Sequence, residues 1–291
     1  MQGKTDPTNE PARVSEPRRR RRWPYVIGGL AVVATIGIFL MTGPMQKPDA
    51  FVPDDQGYPP LAEQAAPVAP PTVQPPKTHA EMLSTVLASS EDIWGELLAR
   101  GDYSFKNPKT EFFDRSISSA CGLDRPASGT FYCPERKLIY LDSSWFRDLD
   151  ERFASVRHLA QAYLIAHQIG HHVQNLAGIN SLINQARQRG DAMEGVDGLL
   201  VRKELQTDCL AGVWVRYAQR RQPWLAQGSM DEALKAVETI AQEHQQKLAS
   251  GTVAPDPLTH ATLELRTRWF NAGFQDGDPQ SCLSIFYQGG D

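Results

Sequence analysis

Two histidines four positions apart, His167 and His171, lie inside the apolar segment LIAHQIGHHVQ, residues 164–174. Residues four apart share one face of an α-helix, so both imidazoles can reach a single metal ion. The small residues Ala166 and Gly170 stand beside them. The segment therefore predicts a packed helix that carries a metal site, rather than two isolated histidines on a surface.

The residue after the first histidine is Gln168. In the zinc motif His-Glu-x-x-His, the glutamate at this position takes a proton from the zinc-bound water. A glutamine amide cannot replace it, because the amide has no basic lone pair near neutral pH. The sequence thus predicts a Zn²⁺ site at which turnover is strongly reduced or absent.

A second long helical segment, residues 199–221, carries two carboxylates four positions apart, Glu204 and Asp208. A catalytic zinc takes three protein ligands and a water. We interpret Glu204 as the third metal ligand and Asp208 as the acceptor that orients a ligand imidazole. The alternative is that both carboxylates belong to a solvated helix face beside Arg202 and Lys203.

The other histidines have weaker signals. His172 lies about 100° around the helix from His171, so we interpret it as structural. His158 and His244 are interpreted as surface residues. His260 follows a proline-containing turn at the start of a predicted helix, where it could donate a hydrogen bond to an oxyanion. An ordinary surface or helix-start histidine is the alternative.

Residues 23–42 contain no charged side chain across 20 positions, a length that can cross a bilayer. Five arginines, residues 18–22, precede them. Positive flanks stay in the cytoplasm, so we expect an inner-membrane anchor with a cytoplasmic N-terminus and a periplasmic or extracellular domain. A cleaved signal peptide is the alternative, although residues 41–45 form a poor cleavage site. A buried soluble helix is disfavoured because the run has no polar face.

Charge and proline content divide the chain. Residues 1–47 carry eight Lys/Arg and three acidic residues, and since the whole chain has a net charge of −4, the remainder carries −9. An acidic body repels phosphates, so we expect no nucleic-acid partner. Ten of the 21 prolines lie within residues 44–76, which predicts an extended spacer. We expect a cytoplasmic tail (1–22), an anchor (23–42), a linker (43–78) and one folded domain (79–291).

The four cysteines would lie in an oxidising compartment if this topology holds. Four cysteines allow three pairings. The simplest joins Cys121 to Cys133 across a short loop, which leaves Cys209 to pair with Cys282. Buried free thiols are the alternative.

The predicted fold class is α+β, mainly α, with a small β-sheet. The apolar spacing predicts a short strand over 137–142, whereas 103–113 and 116–132 look irregular. Gly273 is the predicted end of the last helix. The main predicted helices cover residues 79–100, 148–176, 199–221, 230–248 and 261–270, with a short one after residue 179.

Several segments are shared with a known family: SACG at 119–122, FYCP at 131–134, YLD at 140–142, residues 166–174, residues 204–214, TH at 259–260 and RWF at 268–270. Together they make the chain similar to the neutral zinc metallopeptidases of bacteria, which are single-pass membrane-anchored proteins with a zincin-like domain. The resemblance implies Zn²⁺, peptide-bond hydrolysis, and metal ligands at His167, His171 and Glu204. The departure is Gln168, where the family has glutamate.

In zincin-like folds an edge strand beside the metal helix aligns an extended peptide. This gives residues 138–142 a substrate-aligning role, with an ordinary core strand as the alternative. Three functional interpretations follow. The chain is a zinc metallopeptidase acting on peptides or proteins, with Gln168 a natural or introduced replacement; or it is an inactive pseudoprotease that binds or scaffolds peptides; or the histidines are structural and bind no metal.

Overall fold

The computed structural model describes residues 74–101, 103–118, 121, 127–195, 197–248 and 261–287. The predicted tail (1–22), the predicted anchor (23–42), most of the linker and His260 lie outside these residues. Among the described helices, none has both the length and the apolar character that a membrane crossing requires.

The described chain is mainly helical with one three-stranded sheet, so the predicted class, α+β and mainly α, is confirmed. The helices are α1 (His79–Ala99), α2 (Ser143–Arg152), α3 (Arg157–Leu176), α4 (Ile179–Arg189), α5 (Leu199–Arg221), α6 (Met230–Leu248) and α7 (Leu263–Asp276). The strands are β1 (Lys109–Phe113), β2 (Phe131–Cys133) and β3 (Leu138–Asp142), and 3₁₀-helices cover Pro223–Ala226 and Ser281–Phe286.

Helix α3 lies at the centre of the fold. Every residue from Leu159 to Gln174 is buried, and α1, α5 and α6 pack around it together with the sheet. A helix that is buried on all sides needs partners for its polar side chains, because an unpaired buried polar group costs free energy. The buried histidines of α3 therefore need hydrogen-bond partners within the protein or a bound ligand such as a metal ion.

The sheet has the order β1-β3-β2, with β1 parallel and β2 antiparallel to β3. All five residues of β3 are buried, and both of its edges are already paired. The substrate-aligning role predicted for residues 138–142 is therefore wrong, since an added peptide strand needs a free edge. Asp142 instead caps α2, where its carboxylate accepts the backbone N–H of Ser144 at 2.9 Å. The segments predicted to be irregular contain β1 and the start of β2.

The predicted continuous helix over residues 148–176 is also wrong, because the chain forms α2 and α3 with a break between them. Phe153 leaves the helical region, with φ −127° and ψ 43°. The break contains neither proline nor glycine, so no local signal marks it. It lets α2 follow β3 directly while α3 enters the centre of the domain.

Helices α5 and α7 touch backbone to backbone. A Cβ built on Gly273 would lie 1.9 Å from the carbonyl oxygen of Cys209, and one on Gly212 would lie 2.1 Å from that of Phe270. The prediction that Gly273 ends the last helix is wrong, since α7 continues to Asp276 and ends at Gly277, which has φ 78°. Gly273 serves close packing because only a residue without a Cβ fits there.

Both predicted disulfides are confirmed. Cys121 is bonded to Cys133 at the end of β2, and Cys209 of α5 is bonded to Cys282 in the last 3₁₀-helix. No cysteine of the described residues is free. The second bond fixes the segment that follows α7 to the same turn of α5 that contacts Gly273.

Candidate metal centre

Helices α3 and α5 bring His167, His171 and Glu204 together in the interior. One ligand atom from each lies within 4.8 Å of the other two. The Oε2 atom of Glu204 is 3.3 Å from Nε2 of His167 and 3.2 Å from Nε2 of His171. The predicted face of α3 thus meets the predicted face of α5.

The two helices can approach so closely because Gly170 has no side chain. A Cβ at this position would lie 2.8 Å from Cγ2 of Thr207 and 3.1 Å from its carbonyl oxygen. Gly170 lies one residue before His171, on the α3 surface that faces α5. The sequence pattern that suggested a packed metal helix therefore has a steric basis.

The geometry fits a metal ion of the size of zinc. Two ligand atoms that are each about 2.0–2.1 Å from a tetrahedral ion are about 3.3–3.4 Å apart. The two contacts of Glu204 have these lengths, yet Nε2 of His167 and Oε2 of Glu204 are buried and have no hydrogen-bond partner in the described chain. A cation between the three ligand atoms would satisfy these atoms.

Each ligand imidazole is held by its other nitrogen. Nδ1 of His167 lies 2.9 Å from Oδ1 of Asp208, and Nδ1 of His171 lies 2.9 Å from Oε1 of Gln174. Because these oxygens can only accept, Nδ1 carries the hydrogen in both rings and Nε2 keeps its lone pair for a metal. Thr207 adds a hydroxyl oxygen 3.2 Å from Nδ1 of His171.

Asp208 is the centre of a buried network. It accepts hydrogen bonds from the guanidinium of Arg266 at 2.9 Å (Nε) and 3.1 Å (Nη2), and another from the hydroxyl of Tyr163. The Tyr163 hydroxyl in turn accepts from Arg266. Arg266 is on α7, so three helices meet behind His167.

The charges of these groups follow from their surroundings. Burial would lower the pKa of His167. The hydrogen bond to Asp208 and the nearby carboxylate of Glu204 outweigh burial and raise this pKa above the ordinary value. Burial lowers the pKa of His171. Burial would raise the pKa of both carboxyl groups. The imidazoles instead hold that of Glu204 well below its usual range, while Arg266 and His167 bring that of Asp208 to about 2. Both carboxylates are therefore anionic at neutral pH, as a divalent cation requires.

Gln168 points to a different neighbour. Its Nε2 donates to the carbonyl oxygen of Thr130 at 3.0 Å, and the residue is only 2% exposed. Its Oε1 and the hydroxyl of Thr130 are buried without a hydrogen-bond partner among the described residues. The residue that would supply the base is thus an amide bonded to the backbone just before β2.

The other histidines of the described chain have partners outside the three ligands. His172 bonds the hydroxyl of Tyr132 at 2.8 Å and the carbonyl of Lys106 at 2.9 Å, which agrees with a structural role. His158 and His244 are half-buried rather than fully on the surface, and His244 bonds Asp148 at 2.9 Å. His260, the possible oxyanion donor, is outside the described residues.

Sequence reasoning missed several residues that support the centre. Gln174 could have been found, because it lies three positions after His171 on the same helix. Thr207 lies three positions after Glu204 in the same way. Tyr163 and Arg266 contact Asp208 only because the tertiary fold brings them together, so the local sequence pattern does not predict them.

A second group of candidate ligands, Cys121, Cys133 and Glu135, also lies within 4.8 Å. Its two sulfur atoms form the disulfide described above. A disulfide sulfur has no thiolate to offer a metal. This leaves the cluster on α3 and α5 as the metal-site candidate within the described ranges.

Known proteins resemble this chain over most of its length. The sequence profile of the family described as "Putative neutral zinc metallopeptidase" matches residues 26–285. The uncharacterized protein YpfJ of Escherichia coli strain K12 is 37% identical over 203 residues, which cover 70% of each chain. The uncharacterized protein Rv2575 of Mycobacterium tuberculosis strain H37Rv is 33% identical over 204 residues, 67% of this chain and 66% of that protein. No solved structure matches.

Proposed function

Because the chain belongs to the neutral zinc metallopeptidase family, we propose that it is a zinc-binding protein of the metallopeptidase type that acts on peptide or protein segments. With Gln168 in place of the base, it holds such segments and cleaves them slowly or not at all. If cleavage is absent altogether, the protein is a pseudoprotease that binds or scaffolds peptides. The hydrogen bond from the Gln168 amide to Thr130 favours this form.

His167, His171 and Glu204 would hold the zinc ion. Their support is the spacing of the three ligand atoms and the two buried atoms that lack a hydrogen-bond partner. Zinc in such a set acts as a Lewis acid that polarises a carbonyl and lowers the pKa of water to about 7. Asp208 and Gln174 keep the two imidazoles in the orientation and tautomer that the ion needs.

The observation that carries the proposal is the bond between Gln168 and Thr130. The amide donates to a backbone carbonyl at 3.0 Å, and neither of its atoms can take a proton near neutral pH. Loss of a general base costs about 10²–10⁴ in rate. The site therefore supports binding far better than turnover.

An extended peptide has a free edge to pair with. The order β1-β3-β2 leaves one edge of β2 without a strand neighbour in the described part of the chain. The contact between Gln168 and Thr130 places the residue before β2 against the metal helix. We therefore propose that β2, and not β3, aligns the peptide, because main-chain hydrogen bonds of a bound segment could extend the sheet at β2.

We propose that this domain lies outside the cytoplasm and is held at the inner membrane by residues 23–42. The uncharged run and the five preceding arginines support this topology. The two disulfides support an oxidising compartment. Protease accessibility of the domain in spheroplasts, compared with lysed cells, tests the orientation.

The decisive experiment compares the unaltered chain with Gln168→Glu, both purified at full length in detergent. We expect about one zinc per chain in each by elemental analysis. We expect cleavage of an unfolded protein to be about 10²–10⁴ faster with the glutamate, and a chelator to abolish it. Gln168→Glu combined with His171→Ala is the matched control, which should not cleave.

Equal cleavage by both chains would show that the base lies elsewhere, with Glu204, Asp208 and His260 the residues to substitute next. Absence of metal in both would instead support the interpretation in which the histidines are structural.

A further inference from the structure

Arg266 is a buried cation that binds Asp208, the carboxylate that is hydrogen-bonded to the candidate ligand His167. Arg266 is only 2% exposed, although arginine is almost never fully buried without a partner. Its guanidinium contacts both oxygens of Asp208, with Nε 2.9 Å from Oδ2 and Nη2 3.1 Å from Oδ1. This is the two-pronged geometry that fixes a carboxylate in one plane.

The position of Arg266 depends on how α7 is attached. The contact of Gly273 with the backbone of Cys209 places α7 directly on α5, and the disulfide from Cys209 to Cys282 closes the same region. Asp208 is adjacent to Cys209 in sequence. The residue that Arg266 binds is therefore beside the point where the two helices are held most closely.

We propose that Arg266 is a positioning residue of the metal centre: it holds Asp208 so that Oδ1 is aimed at Nδ1 of His167 and the opposite nitrogen of the ring faces the metal. This inference rests on the proposed function, in that the centre binds zinc. It adds a third helix, α7, to a site whose ligands all come from α3 and α5.

Two physical effects oppose each other when the guanidinium is removed. The centre loses a positive charge, and by charge alone a divalent cation should then bind more tightly. Asp208 also loses its fixed orientation, and with it the restraint on the His167 ring, which should weaken binding. Substitution of such supporting partners typically costs about 10–100-fold in metal affinity, so we expect the loss of orientation to dominate.

The test measures zinc affinity of the full-length chain in detergent by competition with a chromophoric chelator. Arg266→Met should weaken zinc binding by about 10–100-fold. Arg266→Lys keeps the charge but not the two-pronged contact, so it should also weaken binding. The matched control is Arg268→Met, two residues further on α7 and exposed, which should leave the dissociation constant unchanged.

A double-mutant cycle shows whether Arg266 acts through Asp208. In an Asp208→Asn background, Arg266→Met should cost much less than in the unaltered chain, because the orienting carboxylate is already gone. The Co²⁺-substituted protein gives a second readout, since the visible spectrum of Co²⁺ reports ligand geometry independently of cleavage. We expect it to change in Arg266→Met and not in Arg268→Met.

A milder variant guards against misfolding of Arg266→Met. Tyr163→Phe removes one hydroxyl donor to Asp208 and should weaken zinc binding by a smaller factor. Zinc affinities in Arg266→Lys and Tyr163→Phe that stay within about two-fold of the unaltered chain would overturn the proposal, as would tighter binding or a fully additive cycle. If the unaltered chain binds no zinc, both this inference and the proposed function fail. If it binds zinc and these variants behave like it, only this inference fails.

Discussion

The two sides of the candidate centre are built differently. On the side that faces α5, three ligand atoms lie within 4.8 Å of one another and each imidazole is held through its second nitrogen. On the side that faces β2, the Gln168 amide is bonded to the carbonyl of Thr130. The Oε1 atom of Gln168 and the hydroxyl of Thr130 have no hydrogen-bond partner among the described residues. Holding a cation and moving a proton are thus encoded by separate residues, so one can be kept while the other is lost.

The largest effect should come from removing a ligand. His171→Ala should weaken zinc binding more than about 100-fold, beyond the range typical of supporting residues. His172→Ala is the matched control, because this neighbour bonds Tyr132 and the carbonyl of Lys106 instead. Its zinc affinity should be unchanged even though the protein loses stability. Equal losses of affinity in the two variants, measured by chelator competition, would contradict the assignment of ligands.

Acid should reduce the folding stability that ionised Asp208 contributes on the ligand side of the centre. Its pKa is lowered from the ordinary 3.8 to about 2, so its contribution is complete above about pH 5 and is lost progressively as the pH falls through 2. A shift of this size corresponds to about 2–3 kcal/mol of stability. Denaturant unfolding of metal-stripped protein should therefore show Asp208→Asn costing less at pH 2.5 than at pH 6. A cost independent of pH would argue against this charge, and Asp148→Asn serves as a control outside the centre.

Gln174→Leu should weaken zinc binding by about ten-fold, near the lower end of the range for supporting residues. The reason is that Thr207 Oγ1 also lies 3.2 Å from Nδ1 of His171 and can accept its hydrogen. Gln161→Leu changes another buried glutamine of α3, whose amide bonds Asp150 instead. The same chelator titration should find the zinc affinity of Gln161→Leu unchanged. Similar losses of affinity in the two variants would mean that the effect is a general loss of stability of α3.

The smallest effect on metal affinity is expected from the other side. Gln168→Leu should change the zinc dissociation constant by less than about three-fold, because the amide bonds Thr130 rather than a ligand. It should still lower the free energy of unfolding by about 1–3 kcal/mol, since it leaves a buried carbonyl without a donor. Chelator titration and thermal unfolding separate these two quantities. A large loss of zinc would show that the two sides are not independent.

Features with a local sequence signal were predictable. The spacing of His167 with His171 and of Glu204 with Asp208 fixes which side chains share a helix face, and this needs only the periodicity of the helix. The long helices follow from the same apolar pattern. The Cys121–Cys133 bond follows from proximity in sequence, and it leaves the second pair determined.

Features that depend on contacts between distant segments were not predictable. The central position of β3 results from its pairing with β1, a strand whose sequence, KTEFF, lacks a clear alternation. The break between α2 and α3 contains no helix-breaking residue. Gly273 looked like a helix end because glycine usually marks one, whereas here it is required by the backbone of Cys209. Arg266 is 58 residues from Asp208, and no periodicity links them.

The bond from Cys209 to Cys282 spans 73 positions and has a consequence for how the protein matures. A ribosome releases the chain from its N-terminal end, so all three ligands emerge before Arg266 and Cys282 exist. The guanidinium and the second sulfur can reach α5 only after residues 266 and 282 have been added, when α3 and α5 are already complete. A product cut short before Arg266 would keep the three ligands, Asp208 and Gln174, but it would lack the guanidinium that Asp208 binds and the sulfur that closes the bond to Cys209.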